Sequence, residues 1–316
     1  MKYNSILNTD LTSSCLAFGG DYFGTLLDET AAFALMDQYV QTGGNHIDTA
    51  RLYTGGQSEQ IIGRWIKDRK PQNMIITTKG AHPRLDTMHI SRLGFDQLQS
   101  DVDSSLAALG IEQIDLYFLH RDDENIPVGE IMERLNILIK QGKLRYIGAS
   151  NWKAERIMQA NAYCAEKGLV SFCASQIKFS LATTNPDYQD DPTLVEMDAA
   201  SMAMYQKMEL AVMAYASQAK GFFKKMDTLG ETGLDEKATQ RYLYSENVEK
   251  YRRAKTLADK YDVSISGIVL AYLTGMPFVT IPVVGCKTGE QLADSMSGGD
   301  LHLSPDEMAF LAGQDA

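Results

Sequence analysis

Eight short apolar runs rich in Ile, Val and Phe recur along this 316-residue chain, beginning near residues 15, 45, 74, 114, 144, 172, 209 and 278, and a longer segment of helical period follows each. The clearest runs are Met74 to Thr78, Ile114 to Leu119, Leu144 to Ala149 and Leu210 to Ala214. They are apolar at odd and even positions alike, as strands covered on both faces of a parallel sheet must be. Between them, Phe95, Leu98, Val102, Leu106 and Leu109 keep helical spacing, as do Ile131, Leu135 and Leu138, and Gly110 and Gly142 supply C-terminal stops. Strand and helix joined by short connections force a parallel sheet, and eight such units without an order-reversing insertion fit a closed barrel. An open doubly wound sheet is the alternative, but no GxGxxG follows any of the strands. The expected architecture is therefore a single α/β domain over residues 1–316, a (β/α)8 TIM barrel. Residues Tyr3 to Ser13, with an Asn8-Thr9-Asp10 turn, add an N-terminal β-hairpin under the barrel floor, and an extra helix over Ser304 to Ala312 ends the chain.

Composition narrows the function. With 44% hydrophobic and 22% charged residues the chain can build a large core. A net charge of −11 repels nucleic acid and anionic membrane surfaces, and no cluster of Lys and Arg reverses this locally. Cys15, Cys164, Cys173 and Cys286 are scattered, without a CxxC pair or a His at ligand spacing, so neither a disulfide framework nor a metal site is expected. The first residues lack a basic segment followed by an apolar run, and no apolar stretch is long enough to span a bilayer. A cytoplasmic protein, monomeric or a small homo-oligomer, is expected. Two connections interrupt the regular period: Ile177 to Pro192, and Ser217 to Asn247 with its Lys220-Gly221-Phe222-Phe223 string. In a barrel such insertions lie over the active face.

The position of the polar residues is more telling. Strand two ends at Asp48, strand three at Lys79, strand four at His120, strand five at Ser150-Asn151 and strand six at Gln176, while strand seven leads into Tyr215. Singly, each has a structural explanation, such as a solvated strand end, a satisfied core histidine or a turn cap. Six successive strands doing the same at their C-terminal ends, where barrel enzymes assemble their sites, point to one site. An ammonium inside the barrel mouth needs a counter-charge, and Asp48 on the neighbouring strand provides it. Such a lysine beside Tyr53, five residues past Asp48, is expected to lower the phenol's pKa and make it a proton donor near neutral pH. His120 is placed to hold a substrate carbonyl against that hydroxyl. Asp48 is the one carboxylate clearly at a strand end, which disfavours a glycosidase or a metal-dependent isomerase on the same scaffold.

The quartet Asp48, Tyr53, Lys79 and His120, within NHIDTARLY, IITTKG and DLYFLH, resembles the aldo-keto reductases, as do GKLRYIGASNW, ASQI and AYASQAKG, in the same order through nearly the whole chain. The resemblance implies reversible NAD(P)H-dependent reduction of an aldehyde, ketone or sugar-like carbonyl. In it Tyr53 is the general acid, Asp48 and Lys79 tune it, and His120 orients the carbonyl. Ser150, Asn151 and Gln176 match ligands of the nicotinamide carboxamide, and Tyr215 matches the aromatic on which the nicotinamide stacks. Ser217, Gln218 and Gly221 fall in the loop that faces the pyrophosphate, although Ala216-Ser217-Gln218 stands where many members have Ser-Pro-Leu. Gly285, Cys286, Lys287 and Gln291 match the adenosine-phosphate segment. Gly285 and Gln291 stand where many NADP-preferring members carry a lysine and an arginine, leaving Lys287 as the basic residue there. NADPH is the expected cofactor and NADH the alternative. A C-terminal lid is not expected, and the pocket rim is expected from Tyr22, Trp152, Phe179, His82, Arg84 and the loop Arg121 to Asn125. A cofactor-binding regulatory subunit of a channel, built on the same fold, is the competing reading.

Overall fold

The computed structural model of the chain describes residues 1–208 and 210–314. Strand β1 (Tyr3–Ser5) pairs antiparallel with β2 (Thr12–Ser14), and the expected hairpin is present. Eight parallel strands then close a barrel in chain order: β3 (Ala17–Gly19), β4 (His46–Asp48), β5 (Ile75–Gly80), β6 (Ile114–Leu119), β7 (Leu144–Ser150), β8 (Phe172–Lys178), β9 (Ala211–Tyr215) and β10 (Thr280–Val284). Each of the eight apolar runs supplies one strand. The third strand runs one residue past Lys79, and the seventh begins at Ala211, so its expected start near residue 209 lies outside the described residues.

The outer layer is built from α1 (Glu29–Gln41), α2 (Gln57–Arg69), α3 (Phe95–Leu109), α4 (Val128–Lys140), α5 (Ala154–Lys167), α6 (Ala199–Met208), α7 (Phe222–Leu229), α8 (Glu236–Tyr242), α9 (Ser245–Tyr261), α10 (Ile265–Thr274) and α11 (Gly289–Ser297). α7 and α8 are carried by the insertion after β9, and α12 (Pro305–Ala312) ends the chain. The caps follow the sequence. Gly110 closes α3 in the left-handed conformation, its N–H reaching Leu106 O at 2.9 Å. Ser304 and Glu307 form a capping box at the start of α12, behind a proline that fits the first helical turn.

The period of two sorts each strand between two cores. On β6, Leu116 and Phe118 join Ala17, Ile75, Met213 and Ile281 inside the barrel, while Tyr117 and Leu119 join the layer between barrel and helices. Gly148 of β7 has a steric reason: a Cβ there would overlap the Phe118 ring and lie 2.8 Å from Ala174 O. The hairpin closes the floor. Ile6 and Leu11 are buried in the interior cluster, and Asp10 pairs with Arg145, which also pairs with Asp115. Burying two such side chains stabilises the closure by roughly 1.5–3 kcal/mol each.

Candidate active site

Inside the barrel the polar residues are stacked in layers. His46 and Asp48 lie two apart on β4, and Thr77 and Lys79 two apart on β5, so each pair shares a face. In the lower layer His46 Nε2 is 2.6 Å from Thr77 Oγ1, and Nδ1 is 2.8 Å from Ser13 Oγ. In the upper layer Lys79 Nζ donates to Asp48 Oδ2 at 2.7 Å, to Thr49 O at 2.7 Å and to Tyr53 OH at 3.4 Å. Gln176 Nε2 on β8 donates to the other Asp48 oxygen at 2.9 Å, crossing the barrel. The ring of His120 meets that of Tyr53 edge-on, with centroids 5.9 Å apart. Sequence positions from four strand ends thus converge.

The electrostatics correct one expectation. Burial, reinforced by Asp48 and Asp21, outweighs Lys79, and the Tyr53 phenol stands above the ordinary tyrosine range. The lysine moderates the rise without reversing it. Lys79 itself stays an ammonium: burial opposes its charge, but Asp48 and Tyr53 together raise it above the ordinary lysine range. Burial, then Lys79, Arg121 and His82, push His120 well below the usual histidine range, so its imidazole is neutral near pH 7. Its buried Nδ1 has no hydrogen-bond partner among the described residues.

A cavity of about 740 Å³ opens over this floor, within the size range of small-molecule sites. Asp48, Tyr53 and His120 line it, and Lys79 lies beneath. It continues past Ser150, Asn151, Gln176 and Tyr215, then past Ser217, Gln218 and Gly221, and reaches Gly285, Cys286, Lys287 and Gln291 at the start of α11. Tyr215 OH donates to Asn151 Oδ1 at 2.7 Å, Gln218 Nε2 to Ser295 Oγ at 2.8 Å, and Ser217 Oγ to Val283 O at 2.7 Å, which fixes these side chains along the wall. Lys287 Nζ stands 5.1 Å from the centre of the Tyr22 ring.

The rim differs in part from expectation. Tyr22 and Arg121 line the cavity. Trp152 and Phe179 do not: both belong to the core between barrel and helices, where Trp152 packs edge-on against Phe172. Their apolar bulk is satisfied there, so strand-end position alone misplaced them. His82 is half-buried, its ring 4.9 Å from that of His120, and Arg84 is exposed. Asp21, Lys178, Asp190, Lys220 and Arg241 also line the cavity and were missed. For Lys178 a signal existed: it lies two residues beyond Gln176 on β8, hence on the same face.

At three junctions leaving the barrel the backbone is left-handed at non-glycine residues: Ala81 (φ 61°) after β5, Asn151 (φ 57°) after β7 and Ala216 (φ 52°) after β9. Such conformations are costly and cluster at functional sites.

The model of the aldo/keto reductase family matches residues 15–314. The chain is 28% identical to norsolorinic acid reductase stcV of Emericella nidulans, over 92% of this chain and 74% of that protein. It is 26% identical to the uncharacterized oxidoreductase YrpG of Bacillus subtilis, over 98% and 95%. It is 28% identical to the aryl-alcohol dehydrogenase [NADP(+)] of Phanerodontia chrysosporium, over 90% and 76%.

Proposed function

Because this chain belongs to the aldo/keto reductase family, we propose that it reduces an aldehyde or ketone to an alcohol with a nicotinamide dinucleotide, Tyr53 giving the proton. One observation carries the proposal. An ammonium has three N–H bonds and no lone pair, and Lys79 directs its three at Asp48, Thr49 O and the Tyr53 oxygen. Tyr53 therefore accepts from Lys79, and its own proton remains available to a group in the cavity. A phenol held above its ordinary range keeps that proton at neutral pH. The ammonium then stabilises the phenolate left behind, which is what general acid catalysis needs. The neutral His120 imidazole has one N–H to offer a carbonyl oxygen, which fixes the oxygen beside the Tyr53 hydroxyl.

A reduced nicotinamide supplies the hydride when bound. Ser150, Asn151 and Gln176 present hydroxyl and amide groups suited to its carboxamide, and Tyr215 presents an aromatic face. At the far end Lys287 is the basic residue for a 2′-phosphate, and a relative named as NADP(+)-dependent supports NADPH as the preferred form. The relatives reported are named as reductases, dehydrogenases or oxidoreductases, which supports an enzyme over a channel subunit.

The test is the loss of NADPH absorbance on adding 4-nitrobenzaldehyde to the purified protein, with NADH in parallel. Oxidation of neither cofactor across a panel of aldehydes and ketones refutes the proposal.

A further inference from the structure

His120 is tied to the barrel through its backbone and not through its ring. Its N–H donates to Gly80 O at 2.8 Å, and its carbonyl accepts from Arg121 Nη1 at 2.8 Å. Neither ring nitrogen has a hydrogen-bond partner among the described residues, and Nδ1 is buried. A functional imidazole is ordinarily held by a hydrogen bond at the nitrogen turned away from the reaction, which sets both its tautomer and its plane. Here packing sets the plane. Tyr53 meets the ring with centroids 5.9 Å apart and His82 meets it at 4.9 Å, each edge-on at 77°. Tyr53 belongs to the reaction itself, which leaves His82 as the aromatic support among the described residues.

The local backbone brings His82 to this place. After β5 the chain turns through Ala81, left-handed at φ 61°, a costly conformation for alanine. Asp101 on α3 holds the turn: one carboxylate oxygen accepts from Ala81 N at 2.9 Å, and the other pairs with Arg92. Gly80 permits the approach, since a Cβ there would lie 2.9 Å from Asp101 Cβ. His82 Nδ1 then donates to Pro83 O at 2.6 Å, which fixes its own ring. His82 is half-buried and does not line the cavity, so its contact with His120 is its route to the reaction.

We propose that His82 is a positioning residue, which holds the His120 ring in the plane that directs its Nε2 N–H at the substrate carbonyl. With Nδ1 buried and unpartnered, an N–H on that atom would be a stranded donor, so the one proton of the neutral ring belongs on Nε2. A hydrogen bond weakens steeply as it bends, and a ring free to rock would present the carbonyl oxygen to Tyr53 less often. The strained turn at Ala81 thereby acquires a use, since it aims His82 at His120. The inference rests on the reductase reading above.

The experiment measures the single-turnover rate of NADPH oxidation by 4-nitrobenzaldehyde, the affinity for NADPH and the melting temperature in His82→Ala, His82→Leu, His82→Phe, His120→Ala and the double variant His82→Ala with His120→Ala. His82→Ala and His82→Leu are expected to slow the reaction about tenfold, and His82→Phe, which keeps a flat ring, to stay within about threefold of wild type. NADPH affinity and melting temperature are expected to stay close to wild type in all three. His120→Ala is expected to cost about a hundredfold, and His82→Ala added to it nothing further, because a residue that acts through His120 has no effect once His120 is gone. A further tenfold loss in the double variant, equal losses in the Phe and Leu variants, or an unchanged rate in His82→Ala overturns the inference and leaves the reductase reading standing. Should His82→Ala not fold, the comparison of Leu with Phe decides alone. A wild type that oxidises NADPH with no aldehyde or ketone sinks the reductase reading and this inference together.

Discussion

Lys79 Nζ lies 2.7 Å from Asp48 Oδ2, and both side chains are almost wholly withdrawn from solvent. Two opposite charges at that separation inside a protein form a unit, because removing either strands the other in a poor dielectric. Lys79→Met is therefore expected to lower the unfolding free energy by about 3–5 kcal/mol, and the double variant with Asp48→Asn by less than the sum of the two single changes. Urea denaturation of all four proteins measures the coupling. Additive losses would show that the pair is not a unit.

Removing the phenolic oxygen tests the proton donor separately. Tyr53→Phe is expected to lower kcat about a hundredfold or more while leaving the melting temperature and NADPH affinity close to wild type. A turnover near wild type would transfer the role to another group.

Much of this was legible in sequence because the barrel repeats a simple pattern. Runs such as Ile114 to Leu119 are apolar on both faces, and their ends carry Asp48, Lys79, His120 and Gln176. Residues whose place depends on loop packing were not legible. Trp152 follows a strand end yet turns into the helix layer, and Arg241 comes to the cavity from α8, 121 residues beyond His120 along the chain. The sign of the Tyr53 shift was hidden for a related reason. It depends on how deeply the ring is enclosed and on Asp21, which lies on a different loop.

Barrel filling gives a prediction independent of function. Gly148→Ala places a methyl group against the Phe118 ring, and the overcrowding is expected to cost about 1–3 kcal/mol. Phe118→Leu in the same chain should recover part of that loss in thermal melts. If the double variant is no better than Gly148→Ala alone, Phe118 is not the obstacle.

Acid sensitivity has an identifiable source in His46. Burial, assisted by Lys79, pushes this imidazole down to about 3 from an ordinary 6.5. The unfolded chain therefore binds the proton first, and the His46 contribution to stability is present above pH 6.5 and lost as pH falls toward 3. The slope approaches about 1.4 kcal/mol per pH unit in that window. His46→Asn is expected to weaken the protein at pH 7 but to narrow the gap in stability between pH 7 and pH 5 by about 1–2 kcal/mol. Equal gaps in the two proteins, measured by urea denaturation, would clear His46 of the effect.

Ala81, Asn151 and Ala216 mark where β5, β7 and β9 hand over to the segments above them. Because that backbone hand is strained for side chains in general and most for β-branched ones, these positions constrain redesign through the backbone as well as through packing. Whoever grafts new specificity onto this scaffold would do best to leave these three as they are, since a valine or isoleucine at any of them would strain the backbone where it leaves the barrel.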